Sequence, residues 1–301
     1  ASLTFNTGTN RLEFNFANGI VPSSTPAPLL ATNLTANGSV TVDVYNNSLV
    51  AGIYPLVKYT NSFNGAGALA LGFLPPRITG YLSNDTVNTT IDLVVTNVNQ
   101  PIFWAVGNAD WDINNAQSWK DALGNPVSYQ QIVTPYSSLG DAVVFNDSSS
   151  CSSPITANLT APVSPASLTI NSSKDYTISG SGAISGTGGL TKSGSGTLTL
   201  ATPNSFSGGV ILNGGTVAFS SLANLGSGAI NFNGGALRFT NGNAEDISVR
   251  TITLGAGGGT IDDGGNYILF ANAIGNSGPG SFTKTGTGTL ILSGTNKYTG
   301  P

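Results

Sequence analysis

The residues best able to do chemistry are few. Asn108, Asp110, Asp112 and Asn114 alternate like the oxygen ligands of a calcium loop. The glycine and bidentate glutamate that complete such a loop are missing downstream. In an extended segment the same alternation places polar groups on one solvent face, with no ion required. Asp262 and Asp263 offer a carboxylate pair, and glycoside hydrolysis needs two carboxyls facing each other across a sugar at about 5–10 Å. Adjacent residues of a strand point to opposite faces, so a turn with side-chain-to-backbone bonds suits this pair better. Trp104, Trp111 and Trp119 could make a glycan contact by stacking on sugar rings; tryptophans gathered near a junction also fill a cap or core. Lys58 with Glu13 or Asp43 would be needed for a lysine–carboxyl cross-link, and the spacing supports neither pair.

What is missing removes whole classes of reaction. The chain has no histidine, which excludes Ser-His-Asp and Cys-His catalysis and histidine-based metal sites. Its one cysteine, Cys151, forms neither an intrachain disulfide nor a cysteine-rich zinc site. It is an ordinary thiol or a link to another chain. No catalytic residue, cofactor or metal ligand is therefore expected.

The elements that must position these residues are strands. Charged residues make up 8% of the chain, against roughly 25% in ordinary soluble proteins. The surface must then be covered by Gly, Ser, Thr and Asn, which suits stacked β-structure. Helix formers are scarce, and methionine is absent. No basic patch offers binding energy for nucleic acid. No polybasic run or long apolar stretch predicts membrane insertion. A chain that opens on Ala1 reads as a processed product or a piece of something longer.

Residues 1–99 alternate with period two at Leu3-Thr4-Phe5, Val40 to Tyr45, Leu56 to Tyr59 and Ile91 to Val95, the signature of strands. Leu29 to Asn33 allows one short helical turn at most. Residues 100–150 hold all three tryptophans and read as a junction module. Residues 151–301 are glycine-rich and repetitive. Leu190-Thr191-Lys192-Ser193-Gly194-Ser195-Gly196-Thr197-Leu198-Thr199-Leu200 returns as Phe282-Thr283-Lys284-Thr285-Gly286-Thr287-Gly288-Thr289-Leu290-Ile291-Leu292. The match runs on from Asn204-Ser205-Phe206-Ser207-Gly208 to Asn296-Lys297-Tyr298-Thr299-Gly300, at a constant offset of 92 residues (192 to 284). Such self-similarity predicts a solenoid, with glycine at corners where φ turns positive. At roughly 20–25 residues per turn the offset holds about four turns.

The run Gly188-Gly189-Leu190-Thr191-Lys192-x-Gly194-x-Gly196-Thr197-Leu198-x-Leu200, with Asn204-x-Phe206-x-Gly208-Gly209 and Gly214-Gly215-Thr216-Val217, closely resembles the passenger-associated transport repeat of bacterial autotransporters. The second copy departs from that pattern at Ser281. The resemblance implies a right-handed parallel β-helix in a secreted passenger at the cell surface or beyond, preceded here by further β-strand modules. It transfers no catalytic residue.

The expected function is an extracellular structural segment, a stalk or self-assembling filament. Its expected partners are copies of itself or adjoining segments of one long chain, head to tail. Ala1-Ser2-Leu3-Thr4-Phe5 looks much like the strand that follows the first repeat. The alternatives are an adhesin binding surface glycans and a polysaccharide-active β-helix enzyme. The enzyme would need clustered acidic and basic residues, whereas the cations of 151–301 are scattered. Leu198, Leu200, Ile230, Phe232, Leu237, Phe239, Leu290 and Leu292 are expected to point inward.

Overall fold

The structure, a computed structural model, describes the chain except residues 16–26, 46–48, 66–67, 99, 134–137, 150, 241, 276–277 and 301. It divides into two compact units, Ala1–Asn99 and Gln100–Pro301. Both are built of strands. The helical turns among the described residues are the short segments Leu222–Leu225 and Ile247–Val249.

In the second unit the chain alternates between two sheets. One has nine strands, including Ile102–Trp104, Val143–Asn146, Leu168–Asn171, Leu190–Ser193, Val210–Leu212, Ile230–Phe232 and Ile252–Leu254. The other has eight, from Ala109–Trp111 through Thr197–Leu200 and Thr216–Phe219 to Phe282–Thr285. From Ile155–Leu159 and Leu168–Asn171 onward these strands pair in parallel with partners 19 to 24 residues further along, as Leu198 does with Val217 and Leu237 with Ile261. Each pass through both sheets is one rung. A third side joins rungs by isolated bonds, such as the N–H of Ser205 to the oxygen of Ile184 and that of Ser227 to the oxygen of Phe206. Further along, this side becomes a strand pair, Tyr267–Phe270 with Thr289–Leu292.

Period-two alternation explains why these residues fold this way. Apolar positions such as Ile155, Ala157 and Leu159 turn inward, and Thr156 and Asn158 turn outward. The inward residues form one cluster that runs from Ile102 to Ile274. Full burial of each large one contributes about 1.5–3 kcal/mol. Leu198, Leu200, Ile230, Phe232, Leu237 and Phe239 are buried, while Leu290 and Leu292 lie half-buried against the same cluster. At the repeat's corner only glycine fits. Gly194 has φ +69°, and a Cβ there would lie 2.5 Å from the backbone of Ser172 in the preceding rung.

Stacking starts on an antiparallel lip. Trp119–Lys120 pairs antiparallel with both Ile102–Trp104 and Pro126–Val127, and only beyond Ile102–Trp104 does parallel pairing begin.

The first unit also contains parallel rungs. Leu3–Phe5, Leu29–Ala36 and Gly52–Asn64 form one parallel series, and Thr9–Asn15, Ser39–Tyr45 and Leu69–Leu71 a second. Thr90–Val98 then pairs antiparallel with Gly52–Asn64, and Ile78–Asp85 antiparallel with Thr90–Val98. Leu34, Val44, Leu56 and Leu93 lie at the centre of its core. The short turn allowed at Leu29 to Asn33 is instead strand, because its backbone pairs with Gly52–Asn64 and the N–H of Thr32 bonds the oxygen of Ala1.

The two repeats occupy different sides of the stack. Leu190–Ser193 and Thr197–Leu200 lie in the nine- and eight-stranded sheets. Their counterparts Phe282–Thr285 and Thr289–Leu292 lie in the eight-stranded sheet and on the third side. The 92-residue offset is thus not a whole number of turns. Four turns lead from Leu190 through Val210, Ile230 and Ile252 to the bridge between Thr253 and Gly275, and the second repeat starts one side later.

Candidate functional site

The most distinctive cluster is the corner of the repeat. In Leu190-Thr191-Lys192, alternation that buries Leu190 also turns Lys192 inward. An ammonium in the core needs acceptors. Lys192 Nζ donates to the carbonyls of Ser193 (2.7 Å), Gly194 (3.0 Å) and, in the next rung, Gly214 (3.4 Å). Burial lowers its pKa to about 8, opposed by the charge of Asp175. Lys284 repeats the arrangement, donating to Gly286 (3.1 Å) and Thr285 (3.5 Å), and pairs in addition with Asp263. Burial would raise the pKa of Asp263. The bond from Lys284 and the N–H groups of Gly265 and Gly288 outweigh it, so the carboxyl sits below its ordinary value.

The rest of the motif serves the same stacking. Asn204 Oδ1 accepts from the N–H of Ile184 in the rung before, and Nδ2 donates to the oxygen of Asn224 in the rung after. Phe206 is buried beside it.

Other cations also hold carbonyls. Lys174 donates to the oxygens of Ser149 and Cys151 (3.0 Å to the latter). Arg250 donates to Leu225 (3.0 Å), Leu222 (3.1 Å) and Gly226. Lys58 bonds the oxygen of Asn88 and Thr89 Oγ1, while Asp43 meets Arg11 and the N–H of Phe73, and Glu13 pairs with Arg11. The lysine and carboxyls weighed for a cross-link are therefore not brought together. Along the sequence these cations read as scattered, and their shared role as carbonyl anchors is visible only in the fold. The signal for Lys192 is present in the strand alternation, which places it on the same side as Leu190.

The calcium-like residues are used between neighbouring segments. Asn108 Oδ1 accepts from the N–H of Thr156, Asp110 Oδ1 from Asn158 Nδ2 and Asp112 Oδ1 from the N–H of Ala116, each at 2.7 Å. Asn114 sits at φ +62° in a bend. No group of three or more Asp, Glu, Cys or His able to hold a metal occurs among the described residues. Asp262 pairs with Arg238 at 2.7 Å and accepts from the N–H of Gly264, while Asp263 turns into the core. The two carboxylates do not face each other across a gap.

Trp104, Trp111 and Trp119 are 0%, 0% and 1% exposed. They pack on one another edge to face, with Trp104–Trp119 centroids at 5.0 Å and Trp111–Trp119 at 5.2 Å. Trp104 also stacks on Phe145 at 5.2 Å. Of the two readings of these rings, glycan contact and core filling, their burial fits the second: no indole face is open. The physical reason is that large aromatics fill the interior beside the antiparallel strands Trp119–Lys120 and Pro126–Val127. Cys151 is a free, half-buried thiol packed against the same cluster.

Fold and site together define an all-β protein of stacked parallel rungs, β-helix-like, whose motif residues bond rung to rung. Residues 190–219 and 282–301 match the family described as passenger-associated-transport-repeat. Among curated proteins the chain is similar to "Adhesin BmaC autotransporter" of Brucella suis biovar 1 (strain 1330), with 38% identity over 125 residues. The match covers 37% of this chain and 4% of that protein's length. No solved structure matches. The chain carries passenger-associated transport repeats of the autotransporter passenger type.

Proposed function

We propose that the chain is a structural segment of a repetitive bacterial surface protein, a stalk in which right-handed parallel β-helix rungs carry other parts of the passenger away from the cell. The observation that carries this reading is the use of the repeat's distinctive residues. Lys192, Asn204 and Phe206 are spent on contacts within and between rungs, and none is presented to a substrate. On this reading 100–150 is the junction module that opens the stack of 151–301, and the segment is not an enzyme. Its partners are adjoining segments of one long chain or further copies, head to tail. The rung of Phe282, Leu290, Leu292 and Tyr298 offers a half-buried apolar face suited to a following rung.

The similarity to a protein named as an adhesin and autotransporter supports cell-surface display and favours a second reading, adhesion. Two tests apply. Antibodies raised against this segment should label intact bacteria that make it; labelling only after permeabilisation contradicts display. Electron microscopy of the purified parent should show rods with a constant rise per rung, and globular particles would contradict the stalk.

A further inference from the structure

The outer face of a parallel sheet in the first unit holds a cleft. Ser39–Tyr45 is the middle strand of that sheet, between Thr9–Asn15 and Leu69–Leu71. Val40, Val42 and Val44 turn to the core, so Thr41, Asp43 and Tyr45 take the other side. Asp43 is nevertheless 1% exposed. A carboxylate buried on the outside of a sheet is costly unless it is paired. Here Oδ2 meets Arg11 Nε of one neighbouring strand, and Oδ1 accepts the N–H of Phe73, just beyond the other neighbour, at 2.6 Å. Gly72 lets the backbone pass this closely, because a Cβ there would overlap Oδ1. Arg11 and Phe73 are thereby fixed as two sides of a cleft of about 450 Å³, which Thr9, Thr41 and Asp43 also line. Arg11 pairs in addition with Glu13 at 3.2 Å, and its side chain stays 57% exposed. Phe73 stacks on Tyr45, with centroids 4.9 Å apart and planes at 28°. In a chain with only 8% charged residues, three of them meet here.

We infer that this cleft binds a neutral hexopyranose, one sugar ring of a glycan. Size selects a small ligand, since the volume lies within the roughly 300–1,000 Å³ of small-molecule sites. Charge selects a neutral one. Arg11 is already matched by Asp43 and Glu13, so an anion would meet two carboxylates and a cation the guanidinium. A peptide strand finds no backbone to pair with, because Ser39–Tyr45 is bonded on both edges. Chemistry selects a sugar. The guanidinium of Arg11 and the hydroxyls of Thr9 and Thr41 supply partners for ring hydroxyls. Phe73 supplies an aromatic surface for the C–H groups of a pyranose, which are attracted to the negative face of such a ring. Because Asp43 holds both sides in place, little ordering is left to oppose binding. The inference gives the adhesive reading a ligand class and takes from the proposed function only the display of this unit outside the cell.

Saturation-transfer NMR of the full 301-residue chain tests it with methyl β-glucoside, methyl β-galactoside and methyl α-mannoside, against methyl glucuronide as the acidic comparator. At least one neutral sugar should receive saturation and, in titration, bind more tightly than the glucuronide. Arg11→Ala and Phe73→Ala should each weaken that binding at least tenfold, with circular dichroism unchanged. Thr41→Val keeps the shape of the cleft and drops one hydroxyl, so it should weaken binding several-fold even if the other two variants fail to fold. Arg238→Ala, in the second unit, should leave binding intact. No saturation of any neutral sugar would overturn the inference, as would equal loss in Arg238→Ala. Tighter binding of the glucuronide would also overturn it, assigning the cleft to an anion, and so would full binding by folded Thr41→Val. The assay uses purified protein, so its failure leaves surface display to be judged by antibody labelling.

Discussion

The two repeats, 190–206 and 282–298, share the motif positions Thr-Lys, Gly-x-Gly-Thr-Leu, the second Leu and Asn, in different surroundings. Toward the preceding rung they behave alike. Gly194 and Gly286 both have positive φ, +69° and +85°, and press against Ser172 and Asp263. Asn204 and Asn296 both accept an N–H from the rung before, Ile184 at 2.8 Å and Ile274 at 3.0 Å. Toward the following rung they part. Leu198, Leu200 and Phe206 are buried beneath the rung of Val210–Leu212 and Thr216–Phe219. Their counterparts Leu290, Leu292 and Tyr298 are half-buried. Asn204 donates forward to Asn224, and Asn296 makes no such bond among the described residues. The motif thus has a backward half that is satisfied at once and a forward half that depends on the next rung, as expected for nearest-neighbour stabilisation in solenoids.

The largest expected effect contrasts the apolar positions. Phe206→Ala should cost about 3–5 kcal/mol in denaturant unfolding of the second unit. Tyr298→Ala should cost less than half of that, because less of its surface leaves water. Equal losses would break the comparison. Next come the asparagines. Asn204→Ala strands the buried N–H of Ile184 and the oxygen of Asn224 and should cost about 2–3 kcal/mol, against about 1 for Asn296→Ala.

A smaller effect separates the lysines by pH. Lys192 loses its proton near pH 8 in the folded chain and near its ordinary, higher pKa when unfolded. Between those values the unfolded chain binds more protons, so stability should rise as pH climbs above about 8. Lys192→Met should flatten that rise in urea midpoints measured from pH 7 to 10, whereas Lys284→Met should leave it in place. The smallest effect is a control on the outer face. Arg238 and Asp262 are paired at a half-open surface, and Arg238→Ala should change stability by about 0–1 kcal/mol.

Much of this was legible in the sequence, for physical reasons that differ by element. Alternation at Thr197–Leu200 or Ile230–Phe232 fixes which side chains go inward, because a strand has only two faces. Glycine at 194 and 215 marks corners, because φ is positive at both. The rotation of the second repeat by one side was not legible. A local motif specifies a corner and its two flanking strands, and the sides of the stack are alike enough for any to take it. The burial of Trp104, Trp111 and Trp119 depends on the antiparallel lip of Trp119–Lys120, a pairing the sequence does not announce. Lys192 could have been read as inward from Leu190, but its partners are carbonyls, which every residue has and no sequence marks.

Hydrogen exchange across the two repeats measures most directly whether the motif works by stacking. In the 301-residue chain, amides of 190–206 should exchange only with unfolding of the whole second unit. Those of 282–298 should exchange far faster through local opening. Fusing a further rung that copies residues 210–219 after the second repeat should slow them toward the first. Equal protection in the unmodified chain, or no slowing on adding the rung, would contradict the account.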